Sequence, residues 1–89
     1  MQWTLAWDPR VPEGLRALPA AERQRVLSTI LSLADDPMPA GARSLPGKPH
    51  WFRLDDGPFC ILYAVDRVES SVTVYAVMKD EELLGPDRY

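Results

Sequence analysis

Few side chains in this chain of 89 residues are equipped for chemistry, and most of them lie in its second half. His50 is the only histidine, the residue type best suited to take a proton from a hydroxyl near neutral pH. It is read as a general base or as an exposed loop-end residue. Arg53, three positions on, is placed to clamp a phosphate or to pair with Asp55 or Asp56. Lys48 adds a cation beside them, unless it is a solvated loop lysine. Cys60 is the single thiol. No histidine or acid is placed near it by sequence, so a small buried apolar role outweighs a nucleophilic one. The acidic run Asp80-Glu81-Glu82 has oxygen ligands but reads as a solvated charged turn, and no metal site or cofactor is expected.

Composition narrows the classes. Hydrophobic residues make up 46% of the chain and aromatics 9%, values of a globular domain rather than a disordered one. A chain this short buries roughly 60–65% of its unfolded surface, enough for one two-layer core and a single domain over 1–89. One cysteine excludes an internal disulfide framework and fits a reducing compartment. No apolar run approaches the roughly 18 residues that span a bilayer. The first residues lack the basic start and apolar run of a secretory leader, so the expectation is a cytoplasmic protein that contacts no membrane. Ten basic against thirteen acidic residues give a net charge of −3. Such a chain lacks long-range attraction for nucleic acid and would need a local cationic patch to bind it.

The elements that must position these residues are legible in the punctuation. Trp3, Leu5 and Trp7 alternate with Thr4 and Ala6, a strand over 1–7 that Asp8-Pro9 ends. A helical hairpin is predicted over 10–34. Its first helix, about 10–18, tolerates Pro12 in the first turn and carries Val11, Leu15 and Leu18 on one face. Its second opens at Pro19, buries Val26, Ile30, Leu33 and Ala34, and stops at Asp35-Asp36-Pro37. Residues 37–49 hold four prolines and two glycines and read as an irregular loop. Three strands follow within 51–77: Trp51–Leu54, Phe59–Val65 and Ser71–Val77, joined by hairpin turns. In the last, Val72, Val74 and Ala76 are expected on one face and Tyr75 and Val77 on the other. Residues 78–89 are read as a tail with one helical turn. The order is βααβββ, an α+β fold with a helical hairpin on one face of a mostly antiparallel four-stranded sheet. The middle strand is apolar on both faces (Phe59, Ile61, Tyr63 and Val65 against Cys60, Leu62 and Ala64). Helices cover only one face, so a second cover is expected.

Four segments carry a resemblance in their order and spacing. Leu45-Pro46-Gly47 comes before the sheet, then Phe52-Arg53-Leu54, then Phe59-Cys60-Ile61-Leu62-Tyr63 with Val72–Val77. This arrangement resembles the RelE/ParE superfamily, the small toxins of bacterial toxin–antitoxin pairs, over nearly the whole chain. The resemblance implies that the sheet face away from the helices is a groove that cuts mRNA on the ribosome, by attack of a ribose 2′-hydroxyl on the adjacent phosphate. It also implies a cognate antitoxin as the missing cover, a second copy of the chain being the alternative. Carried onto this sequence, it assigns Trp51 and Arg53 to the outward sites of the strand after the loop. Lys79 falls where a cationic segment is common, and Arg88 and Tyr89 where the C-terminal catalytic pair would stand. The catalytic set so implied is Arg53, Lys79, His50 and Tyr89, with Lys48, Trp51, Cys60, Leu62 and Arg88 contacting RNA or a partner. Cys60 occupies the position where the family usually carries an arginine. That substitution and the acidic balance bring in two alternatives, a ParE-like blockade of DNA gyrase and a catalytically silent antitoxin-binding member.

Overall fold

The computed structural model describes residues 3–79. The tail was expected over 78–89; Met78 and Lys79 instead end the last strand, and 80–89, with Arg88 and Tyr89, lies outside the described residues. Seven elements follow in order: β1 (Thr4–Trp7), α1 (Arg10–Arg16), α2 (Ala20–Ser32), β2 (Arg43–Leu45), β3 (Lys48–Asp56), β4 (Phe59–Asp66) and β5 (Ser71–Lys79). They form two helices packed on one five-stranded sheet of order β1-β5-β4-β3-β2. The fold is α+β, mostly antiparallel, with five strands where four were expected.

The added strand is β2, inside the segment read as irregular. Its physical basis is the Leu45-Pro46-Gly47-Lys48 turn. Proline fixes the entering φ, and Gly47 takes φ 74, a left-handed value that a Cβ would oppose. The arms then pair, Arg43 with Arg53 and Ser44 with Phe52, so β3 starts at Lys48. Pro49 is tolerated because the register shifts between Ser44 and Leu45, and the β3–β4 ladder begins only at Trp51.

The helices start where local chemistry satisfies their exposed amides. Asp8 accepts from the Arg10 amide at 2.9 Å, standing in for a cap on α1. Pro19 precedes α2, whose first turn carries Glu22. Val26, Ile30 and Leu33, at helical spacing, are fully buried against the sheet. Their partners are Phe52 and Leu54 of β3, Phe59, Ile61, Tyr63 and Val65 of β4, and Val72 and Val74 of β5. Each such side chain contributes about 1.5–3 kcal/mol when removed from water, so this layer dominates stability. The chain leaves β1 through the helices, crosses to the far edge, and returns strand by strand until β5 lies parallel to β1.

One irregularity re-aims the last strand. Leu62 pairs with Ala76 but Tyr63 with Val74, so Tyr75 is bulged out of the ladder. Beyond it the alternation is reversed relative to expectation. Val77 packs on the core opposite Ile61, while Ala76 sits opposite Leu62 on the other face.

Candidate functional site on the open sheet face

The face away from the helices is laid out by register. β3 contributes Trp51, Arg53 and Asp55, each opposite a residue of β4: Ala64, Leu62 and Cys60 respectively. β5 adds Thr73, Tyr75, Ala76 and Met78, and β2 adds Arg43 beside Arg53. The row is therefore cationic and aromatic at its β2–β3 side and apolar across β4.

Two local constellations stand out. In the first, the Trp51 and Tyr75 rings meet with centroids 4.4 Å apart and planes tilted by 33°. The Lys48 ammonium lies 5.8 Å from the centre of the Trp51 ring, within cation–π reach. Alternation from the buried Val74 already turns Tyr75 to this face, and the bulge changes the facing of the residues after it. In the second, an Arg53 guanidinium nitrogen donates to Asp55 at 2.8 Å. That bond, assisted by the charges of Arg53 and Arg43 and by the Cys60 thiol, holds the Asp55 carboxyl below the usual carboxylate range, against the opposing effect of desolvation. The pair is partly exposed on both sides, so its contribution to stability is small.

Each residue singled out from the sequence has a definite place, apart from Tyr89 and Arg88, which lie outside the described residues. Arg53 and Trp51 share the open face, with Lys48 beside them. Between its two candidate partners Arg53 takes Asp55, while Asp56 turns to the helices and holds Arg25 at 3.1 Å and Thr29 at 2.8 Å. His50 is exposed, near Tyr75 and Thr73 at the end of the sheet where β4 turns into β5. Leu62 is half-buried in the middle of the face. Cys60 is on the same face but fully buried. Its thiol is hydrogen-bonded to Asp55. Lys79 pairs with Phe59 and so takes the register of the helix side. Strand alternation separates it from Arg53.

Two residues of the face were not singled out in the sequence, Arg43 and Tyr75. Arg43 belonged to the presumed loop; the near-symmetry of Arg43-Ser44-Leu45 and its return strand about Pro46-Gly47 was the available signal. Tyr75 was expected on the face opposite Val72 and Val74 and lies there; its contact with Trp51, between residues far apart in sequence, had no signal. Among the described residues, no group of three or more His, Cys, Asp or Glu side chains comes together to hold a metal ion, and no helix is long and apolar enough to cross a membrane.

What this arrangement can do is bind an anionic, aromatic chain. Cations at Arg43, Arg53 and Lys48 suit phosphates, and the exposed rim of an aromatic pair suits unstacked bases. A base for a hydroxyl exists at His50, beside Tyr75 and Thr73.

Solved structures place the fold. The chain is similar to a chain of the RelBE2 toxin–antitoxin complex from Mycobacterium tuberculosis, with TM-score 0.77 and 18% identity, covering 89% of this chain and 99% of that one. An archaeal RelE–RelB complex from Pyrococcus horikoshii matches with TM-score 0.79 at 20% identity, over 89% and 96% of the two chains. The isolated RelE toxin of E. coli matches with TM-score 0.73 at 20% identity, over 86% and 83%. At these identities the likeness is one of fold: the chain has the fold of RelE toxins. No protein-family model and no curated protein matches the sequence.

Proposed function

We propose that this RelE-fold chain is the toxin of a bacterial toxin–antitoxin pair, acting in the cytoplasm by cleaving mRNA at the ribosome. The observation that carries the reading is the Trp51–Tyr75 pair flanked by Lys48, Arg43 and Arg53 on the sheet face that the helices leave open. In this reading successive bases stack on the rings while the arginines face the phosphates. Arg53 then exchanges Asp55 for the scissile phosphate and stabilises its developing charge. His50 and Tyr89 supply proton transfer, while Lys79, in the register of the helix side, stands apart from the reaction. The antitoxin covers the apolar middle of the face, around Leu62 and Ala64.

A second reading, a member that only binds its antitoxin or blocks gyrase, is favoured by Cys60. A buried thiol stands where the resemblance calls for a cation, and one lost transition-state cation lowers the rate by about 10²–10³. Controlled expression in a growing bacterium, followed by mapping of mRNA 5′ ends, separates the readings. Translation arrest with new 5′ ends, lost on changing Arg43 and Arg53 together to alanine, is the expected result. Arrest with a DNA-damage response and no new ends transfers the assignment to gyrase. Absence of arrest leaves the silent member.

A further inference from the structure

At the end of the open face where β4 turns into β5 there is a hollow of 430 Å³, bordered by His50 and Tyr75. Its floor is Ala64, opposite Trp51 on one side and Thr73 on the other, a small side chain in a row of larger ones. Tyr75 forms one wall. His50, Ser71 and Arg67 stand around the rim. The rim is a built turn: Asp66 accepts from the amides of Val68 and Glu69, both at 3.0 Å, and Ser70 takes φ 52 to close it. The carboxylate of Asp66 is thus engaged by backbone, which lowers its repulsion of an anion, while the Arg67 guanidinium remains at the mouth.

We propose that this hollow seats one unpaired nucleotide, its base lying over Ala64 against the Tyr75 ring and its phosphate facing Arg67. The volume falls in the range of small-ligand sites, roughly 300–1,000 Å³. The lining has what a nucleotide requires: an aromatic wall, an apolar floor, hydroxyls from Ser71 and Thr73 for the base edge or ribose, and a cation for the phosphate. A peptide partner would find little apolar depth here, since Val68, the largest apolar side chain of the turn, is 91% exposed and directed to solvent. Ala64 is two residues along β4 from Leu62, the residue opposite Arg53, about 7 Å at ~3.3 Å per residue. The seat therefore holds a neighbour of the nucleotide at Arg53, not that nucleotide itself. Only this position along a bound strand rests on the mRNA reading; the seat itself rests on its lining.

Titration of the isotope-labelled full chain with 5′-AMP and 5′-UMP, followed through backbone amide resonances, tests it. Saturable shifts are expected at Ala64, Thr73 and Tyr75. Tyr75→Leu should weaken both nucleotides roughly ten- to hundredfold, the loss of one base–aromatic stack. Arg67→Ala should weaken the nucleotides but leave adenosine and uridine unchanged. If saturating nucleotide moves no resonance around the hollow, or moves only those near Arg43 and Arg53, the seat is refuted. The wild-type titration decides this even if a variant folds poorly. Should the hollow bind nucleotides while expression yields no mRNA cleavage, the cleavage reading falls and the seat stands. Cleavage with a silent hollow gives the reverse.

Discussion

Replacing Tyr63 by phenylalanine makes the sharpest test of how the sheet and the segment after α2 are joined. Tyr63 is fully buried, stacked on Phe52 at 5.8 Å, and its hydroxyl donates to the Pro37 carbonyl at 2.8 Å. Phenylalanine preserves the ring and deletes the donor, leaving a buried carbonyl without its hydrogen bond, which costs about 1–3 kcal/mol. The pH dependence supplies a second, independent signature. Burial, with the Asp36 charge adding to it, pushes the Tyr63 hydroxyl from an ordinary value of 10.0 up to about 12. Above pH 10 the unfolded chain releases this proton first, so the unfolded state is favoured as pH rises. The contribution is intact below pH 10 and is lost progressively up to pH 12, about 1.4 kcal/mol of it by pH 11 at ~1.36 kcal/mol per unit. The variant has no such proton to lose. Urea unfolding at pH 8 and pH 11 should therefore show Tyr63→Phe less stable at pH 8, with the gap narrowed by about 1.4 kcal/mol at pH 11. The other titrating groups are common to both chains and cancel in the difference. A gap that is the same at both pH values, or no gap at pH 8, refutes the reasoning.

Other outcomes follow from the same geometry. Gly57→Ala should lower stability by about 1–2 kcal/mol, because Gly57 holds φ 60 and a Cβ there would lie 2.5 Å from the Arg25 guanidinium that reaches Asp56; thermal unfolding measures it. Asp55→Asn should strengthen binding of a short single-stranded RNA and steepen its log–log salt dependence by about 0.7, the signature of one more cation released to phosphate, read by fluorescence anisotropy. The Arg53 bond holds the Asp55 carboxyl below its ordinary value. The wild type should therefore lose this pair's contribution as pH falls through that lowered value, and Asp55→Asn should not. Cys60, fully buried, should react with a thiol reagent only as fast as the native chain opens, so adding denaturant should raise the labelling rate in step with unfolding.

The helical layer and the inner face of β4 were legible because each depends on short-range pattern. Prolines bound both helices, Val26, Ile30 and Leu33 recur at helical spacing, and Phe59, Ile61, Tyr63 and Val65 alternate without a break. The outward position of Trp51 and Arg53 follows from the same alternation along β3. What the residues by themselves determined was therefore which stretches pair or coil, and which side of each is apolar. Tertiary structure decided the rest of the face. β2 has only three residues and exists because β3 is there to pair with it, which brings Arg43 beside Arg53. A one-residue bulge at Tyr75, invisible in composition, reverses the faces beyond it, so that Lys79 stands on the helix side. Alternation along β3 gave Arg53 Asp55 as its partner, while Arg25 and Thr29 of α2, far off in sequence, hold Asp56 on the opposite face. Neighbours along the chain set backbone preference within a few residues, whereas register and ion pairing are settled by groups far apart in sequence, and only the assembled sheet brings those together.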